Sequence, residues 1–264
     1  MKYVLSALLV VLVALLAVSS YLTFFSKPKA EDSQIPEPEP ETEAPESSAE
    51  PEPTVTPEPE PTIDPAVFTD TGSLLVVANK KHKLPDGYVP ADLVSPSIAQ
   101  TAACTMREPA AQAIAEMAQA AAAEGVTLMI SSAYRGEDYQ RQLYNGYVAS
   151  YGAETADTIS SRPGYSDHQT GLAADFVEVD GSLNGINFNQ KFEETESGKW
   201  LRTHAHEYGF IMRYPKGKQE ITGYAYEPWH FRYIGIEDAT AVYNVDEFES
   251  FEEFFGVEGG DYAG

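Results

Sequence analysis

Four residues in two separated segments have the types and spacing for metal chemistry. His168 and Asp175 stand seven apart in Ser166–Asp175, at the entry of a strand, with Gly171 between them, so a bent loop can aim both at one point. Alone, such a pair is commonly a surface hydrogen-bonded pair. Glu227-Pro228-Trp229-His230 adds a second imidazole where another strand opens. Two imidazoles and one carboxylate, with a fourth position left for water, form a ligand set of catalytic rather than structural zinc. Bound Zn²⁺ lowers the pKa of such a water to about 7. Glu227, three residues before the third ligand, is placed to take that proton and pass it to a leaving amine. The competing account leaves Glu227 a solvated loop acid and His230 its hydrogen-bonded neighbour. The single Cys104 excludes an intramolecular disulfide framework and a Cys-cluster zinc site.

These residues need a scaffold, and the pattern supplies one. Pro109, an Ala-rich run and Gly125 predict a helix over 108–124. Further helices are expected over 136–151 and 197–208, with strands over 126–131, 172–179, 210–213 and 229–234. Without a regular alternation of strand and helix, the expectation is a single α+β domain, residues 66–235, with a small antiparallel sheet flanked by helices.

The chain carries 41 acidic against 17 basic side chains, a formal net charge of -24. The acids are concentrated at its ends. Residues 31–65 hold twelve acids, ten prolines and no base, and residues 236–264 hold nine acids and no base. The first stretch cannot bury a core and is expected to be a disordered, extended linker. In the second, aromatics three or four apart over 246–255 predict a helical face docked on the domain, with residues from Glu258 onward frayed. No Lys/Arg-rich stretch is present to bind phosphates, which excludes a nucleic-acid partner. Tyr3–Phe25 runs 23 residues without a charge, so residues 1–30 are expected to form a transmembrane anchor. Cleavage as a signal peptide near Ala17–Ser19 is the alternative. The expected location is single-pass in the cell membrane with the catalytic domain outside, or secreted if the segment is cleaved.

The pattern Ser-x-His-x-x-Gly-x-Ala-x-Asp over Ser166–Asp175, followed by Glu227 to His230, resembles the VanY-type D-alanyl-D-alanine carboxypeptidases. These are zinc peptidases related to the VanX dipeptidases and, more distantly, to the Hedgehog signalling domain. The resemblance spans about Leu74 to Ile234 and takes in Ser132-Ala133-Tyr134-Arg135, Gly209–Pro215 and Gly223-Tyr224. It implies that His168, Asp175 and His230 hold Zn²⁺ and that Glu227 is the catalytic base. It also implies that Arg135 faces the scissile carbonyl or the terminal carboxylate, that Gln140 contacts substrate, and that Ser166 and Tyr214 line the pocket. Two departures are Asp167, where Glu is expected, and Gly136, where Ser is common; neither is expected to touch a ligand. His82, His204 and His206 are expected to be structural or exposed.

The implied reaction is removal of the C-terminal D-alanine from peptidoglycan stem pentapeptides, with those peptides and, through the N-terminal helix, the membrane as partners. The alternatives are an L,D-carboxypeptidase on tetrapeptide stems, a peptidoglycan endopeptidase, and a non-catalytic zinc-containing wall-binding module.

Overall fold

Three two-residue strands lead the chain into its sheets: β1 (Leu93–Val94), β2 (Ala99–Gln100) and β3 (Met106–Arg107). A computed structural model describes residues 63–178 and 188–262, all within one unit, Glu58–Gly264. β1 and β3 pair as a two-stranded sheet. Helix α1 (Glu108–Ala123) follows, with a Pro in its first turn and an interior of mostly Ala, the best helix former. Ala110, Ala111, Ile114, Met117 and Ala121 form its buried face, at the three- and four-residue spacing of one helical stripe. Fully burying Ile114 or Met117 contributes about 1.5–3 kcal/mol each. Gly125 ends the helix at a positive φ of 83°, open to glycine without strain.

The main sheet continues with β4 (Met129–Ser132), β5 (Ala173–Val177), β6 (Phe210–Met212) and β7 (His230–Tyr233), in the order β2-β4-β5-β7-β6. Every residue of the central β5 is buried, as expected of a strand covered on both faces. Between β4 and β5 lie α2 (Glu137–Tyr151) and α3 (Ala153–Ile159). Helix α4 (Glu196–His204) precedes β6, and α5 (Gln219–Thr222) separates β6 from β7. Two helices close the chain, α6 (Ile236–Val245) and α7 (Phe251–Phe255). They bring Ala239, Val242 and Phe251 onto Val77, Ile211 and Ile234 in a second apolar cluster, separate from the main core under α1.

The expected antiparallel sheet is in fact mixed, because β2 pairs parallel to β4, Ala99 opposite Met129. The reason is connectivity: β3 and α1 intervene, and parallel neighbours need such a crossover whereas antiparallel ones do not. The expected transmembrane helix, and with it the membrane partner and single-pass location, is also set aside. Among the described residues no helix is long and apolar enough to cross a membrane. The run Tyr3–Phe25 that prompted the expectation, like nearly all of the linker 31–65, lies outside the described residues.

The C-terminal segment differs too. It contains the ten-residue α6 that the aromatic pattern did not reveal, and it does not fray from Glu258. Tyr262 is half-buried, its ring meets that of Tyr165 edge-on at 5.2 Å, and its hydroxyl accepts from the Arg162 amide at 2.7 Å.

Candidate metal centre

Strand register brings the two motifs together. In the antiparallel β5–β7 pair Asp175 lies directly opposite His230, and on the other side of β5 it pairs with Ser132 of β4. His168 comes from a 3₁₀ turn, Asp167–Thr170, closed by Gly171 at a φ of 71°. A side chain at Gly171 would meet Arg107, Pro90 and Leu93 at 3.0–3.2 Å, so the turn that delivers His168 requires glycine both for its backbone and for its neighbours.

One ligand atom each from His168, Asp175 and His230 lies within 4.8 Å of the others, and the three residues are 1%, 3% and 3% exposed. The arrangement fits a metal ion. The His168 Nδ1 is 2.7 Å from the Ala133 carbonyl, so it carries the proton and donates, which leaves Nε2 with its lone pair toward the cluster. That Nε2, although 3.1 Å from Asp175 Oδ2, has no hydrogen-bond partner, and neither has Asp175 Oδ1. Buried polar atoms left this way cost free energy unless something completes them. Two imidazoles and a carboxylate are the donors zinc takes in open catalytic sites, and the triad is a Zn²⁺ site.

His230 is oriented from behind. Its Nε2 lies 3.3 Å from Asp167 Oδ2, which fixes the proton there and turns Nδ1 toward Asp175 Oδ1, 3.6 Å away, and Glu227 Oε2, 3.1 Å away. Asp167 therefore does contact a ligand, contrary to the sequence expectation. A carboxylate hydrogen-bonded to a metal-binding histidine is a recurring device for setting the ring's tautomer and angle. Asp167 is itself held by Arg232 and approached by Arg213 Nε at 3.8 Å. Burial works against its charge, yet Arg232, His230 and Arg213 keep its carboxyl well below the usual range.

Without a metal, His230 is pushed up to about 9: burial opposes the charge, but the bonds to Asp167 and Glu227 outweigh it. Asp175 is held at about 2, with His168, His230 and Arg135 overcoming burial. Burial lowers His168 and raises Glu227.

The centre sits in an open cleft of about 1080 Å³. Arg135, Ser166, Tyr214 and Glu227 all line it beside the ligands. The Arg135 Nη1 is 3.4 Å from Asp175 Oδ2 and 3.1 Å from Ser132 Oγ, with its side chain 20% exposed to the cleft. Tyr214 packs edge-on against the His230 ring, centroids 4.8 Å apart, and burial keeps its phenol protonated well beyond the ordinary range. The Ser166 hydroxyl is buried and has no hydrogen-bond partner.

Gln140 is placed differently. It is wholly buried on α2 and does not line the cleft; its amide nitrogen donates to Ser160 Oγ at 3.1 Å and the Ser161 carbonyl at 2.8 Å, two residues that do. Of the remaining histidines, His82 and His204 bond to Asn79 and Glu207, and His206 stacks on Tyr243 at 3.8 Å. None of the three joins the centre.

A buried His/Asp/His set beside a carboxylate, on the floor of an open cleft, is the layout of a metallopeptidase. Relatives narrow it: residues 103–236 match the VanY, D-alanyl-D-alanine carboxypeptidase, family model. The chain is 39% identical to YodJ of Bacillus subtilis over 188 residues, 69% of this chain and 67% of YodJ. Among solved structures, the LdcB LD-carboxypeptidase is 38% identical with a TM-score of 0.64, covering 70% of this chain and 86% of that one. VanYB in complex with D-alanine-D-alanine is 32% identical with a TM-score of 0.58, covering 71% and 99%. The chain belongs to the VanY family, and it is a zinc metallocarboxypeptidase.

Proposed function

We propose that the domain removes the C-terminal D-alanine from peptidoglycan stem pentapeptides. The observation that carries this reading is the partly exposed Arg135 guanidinium, held 3.4 Å from a metal ligand at the cleft surface. A carboxypeptidase must hold a chain-terminal carboxylate next to the bond it cuts. A guanidinium does this with paired, charge-assisted hydrogen bonds, or stabilises the oxyanion that develops.

His168, Asp175 and His230 would hold the Zn²⁺, which would supply a Lewis acid for the scissile carbonyl and a water acidified toward neutrality. Glu227 receives the proton from the attacking water and delivers it to the leaving D-alanine amine. Its burial supports this, because a carboxylate raised above its ordinary range takes the proton from water more readily. Tyr214, kept neutral, and Ser166, with an unpartnered hydroxyl, offer hydrogen bonds to the peptide backbone. Gln140 acts one step back, by fixing the Ser160–Ser161 wall.

A second reading, cleavage of tetrapeptide stems, is favoured by the likeness to LdcB, which exceeds that to VanYB in identity and TM-score. The test is amino-acid release from defined muramyl penta- and tetrapeptides by the zinc-loaded protein. D-Alanine from the pentapeptide supports the first reading, release from the tetrapeptide alone replaces it with the second, and release from neither refutes both.

A further inference from the structure

Behind the metal centre lies a buried cluster of four charges from four parts of the chain. Asp167 comes from the 3₁₀ turn, Arg232 from β7, Arg213 from the end of β6 and Glu252 from α7; their side chains are each 1% exposed or less. Two cations face two anions, so the cluster is neutral. Glu252 takes both terminal nitrogens of Arg213 in a two-pronged pair at 2.7 Å each, and Asn79 holds Glu252 Oε1 at 2.9 Å. Arg213 Nε remains without a hydrogen bond, 3.8 Å from Asp167 Oδ1.

Asp167 thus has two arginines within ion-pair range and one histidine to orient. We propose that Glu252 is a positioning residue for the zinc site: it occupies Arg213, so that Asp167 keeps Oδ2 for His230. Take away the charge of Glu252 and, among the described residues, the only carboxylate left in ion-pair range of Arg213 is Asp167. The guanidinium turns onto it, loosens the His230 ring, and leaves one uncompensated buried cation beside a site for a divalent cation. Both effects weaken zinc. Glu252 lies sixteen residues beyond the family match that ends at residue 236, so the zinc site depends on a helix outside the matched region.

Zinc affinity is measured by chelator competition on the full chain for E252Q, R213M and the double variant R213M/E252Q. Thermal melts of the zinc-free forms report folding. E252Q is expected to bind zinc about tenfold or more weakly, the range seen when partners of metal-binding histidines are lost. R213M, which frees Asp167 from its second arginine, stays within about threefold of the parent. R213M/E252Q, neutral again, recovers to the same level, as a removed charge pair does when neither partner is left unpaired.

A folded E252Q with parental affinity overturns the proposal. So does a tenfold loss in R213M or in the double variant, because a purely structural contact is not rescued by deleting its partner. Should E252Q fail to fold, the double variant decides alone. These affinities are independent of which peptide bond is cut, so loss of the proposed reaction would leave this test standing.

Discussion

Two buried clusters of ionisable groups share His230 and are built to opposite rules. On the cleft side, His168, Asp175 and Glu227 crowd together with Asp175 Oδ1 and His168 Nε2 lacking hydrogen-bond partners. On the core side, Asp167 is bonded to Arg232 and Glu252 to Arg213, and Arg232 further donates to the carbonyls of Leu74, Val76 and Tyr233 at 2.7–3.0 Å. A nearly satisfied cluster holds the fold together, while an unsatisfied one is reserved for something that arrives later. Burial alone does not distinguish them; hydrogen-bond completion does.

That contrast yields a graded set of expectations. D175A removes a ligand and is expected to lose stoichiometric zinc and all measurable turnover, checked by metal analysis and amino-acid release. E227Q should keep zinc and lose about 10²–10⁴ in kcat, the usual worth of a positioned proton carrier. R232M, on the core side, leaves Asp167 short of its main partner and is expected to destabilise the zinc-free protein by about 3–5 kcal/mol in denaturant unfolding. D175N in the same assay should cost less, because Arg135, the arginine paired with Asp175, is partly exposed to the cleft and keeps its bond to Ser132; an equal or larger loss would erase the distinction between the clusters.

The smallest effect is a pH dependence. His230 sits at about 9 in the zinc-free protein and must shed its proton to ligate. Zinc affinity should therefore rise with pH, by up to about tenfold per unit, until the pH passes that value, and then level off with respect to this group. A flat profile between pH 7 and 9 would mean that the Asp167 and Glu227 contacts do not raise His230.

The ligands were legible because metal chemistry restricts residue types, and because His168 and Asp175 lie within ten residues of sequence. Asp167 was not, although it lies in the same segment. Its role depends on Arg232 and His230, more than sixty residues away, and on a ring orientation that spacing does not encode. Strands β4 to β7 follow from apolar runs near their expected positions. The two-residue β2 is too short to carry a periodic signal, so its parallel pairing, and hence the mixed sheet, was invisible. Helix α6 was obscured by its acidic surroundings, and the order of Tyr262 depends on the distant backbone of Arg162. Gln140 shows a different limit: the resemblance implies that it contacts substrate, while the structure buries it behind the cleft with its amide on Ser160 and Ser161.

The pairing of Asp175 with His230 across β5 and β7 makes the zinc site a gauge of sheet alignment. Shifting one strand by a single residue turns alternate side chains to the opposite face, so a slipped β7 would present Trp229 or Phe231 where the imidazole belongs. Only the correctly aligned sheet offers both donors to one ion, and an ion that binds only that form adds its binding free energy to it. Metal supplied during folding should therefore act as a proofreader of strand alignment as well as a reagent for catalysis.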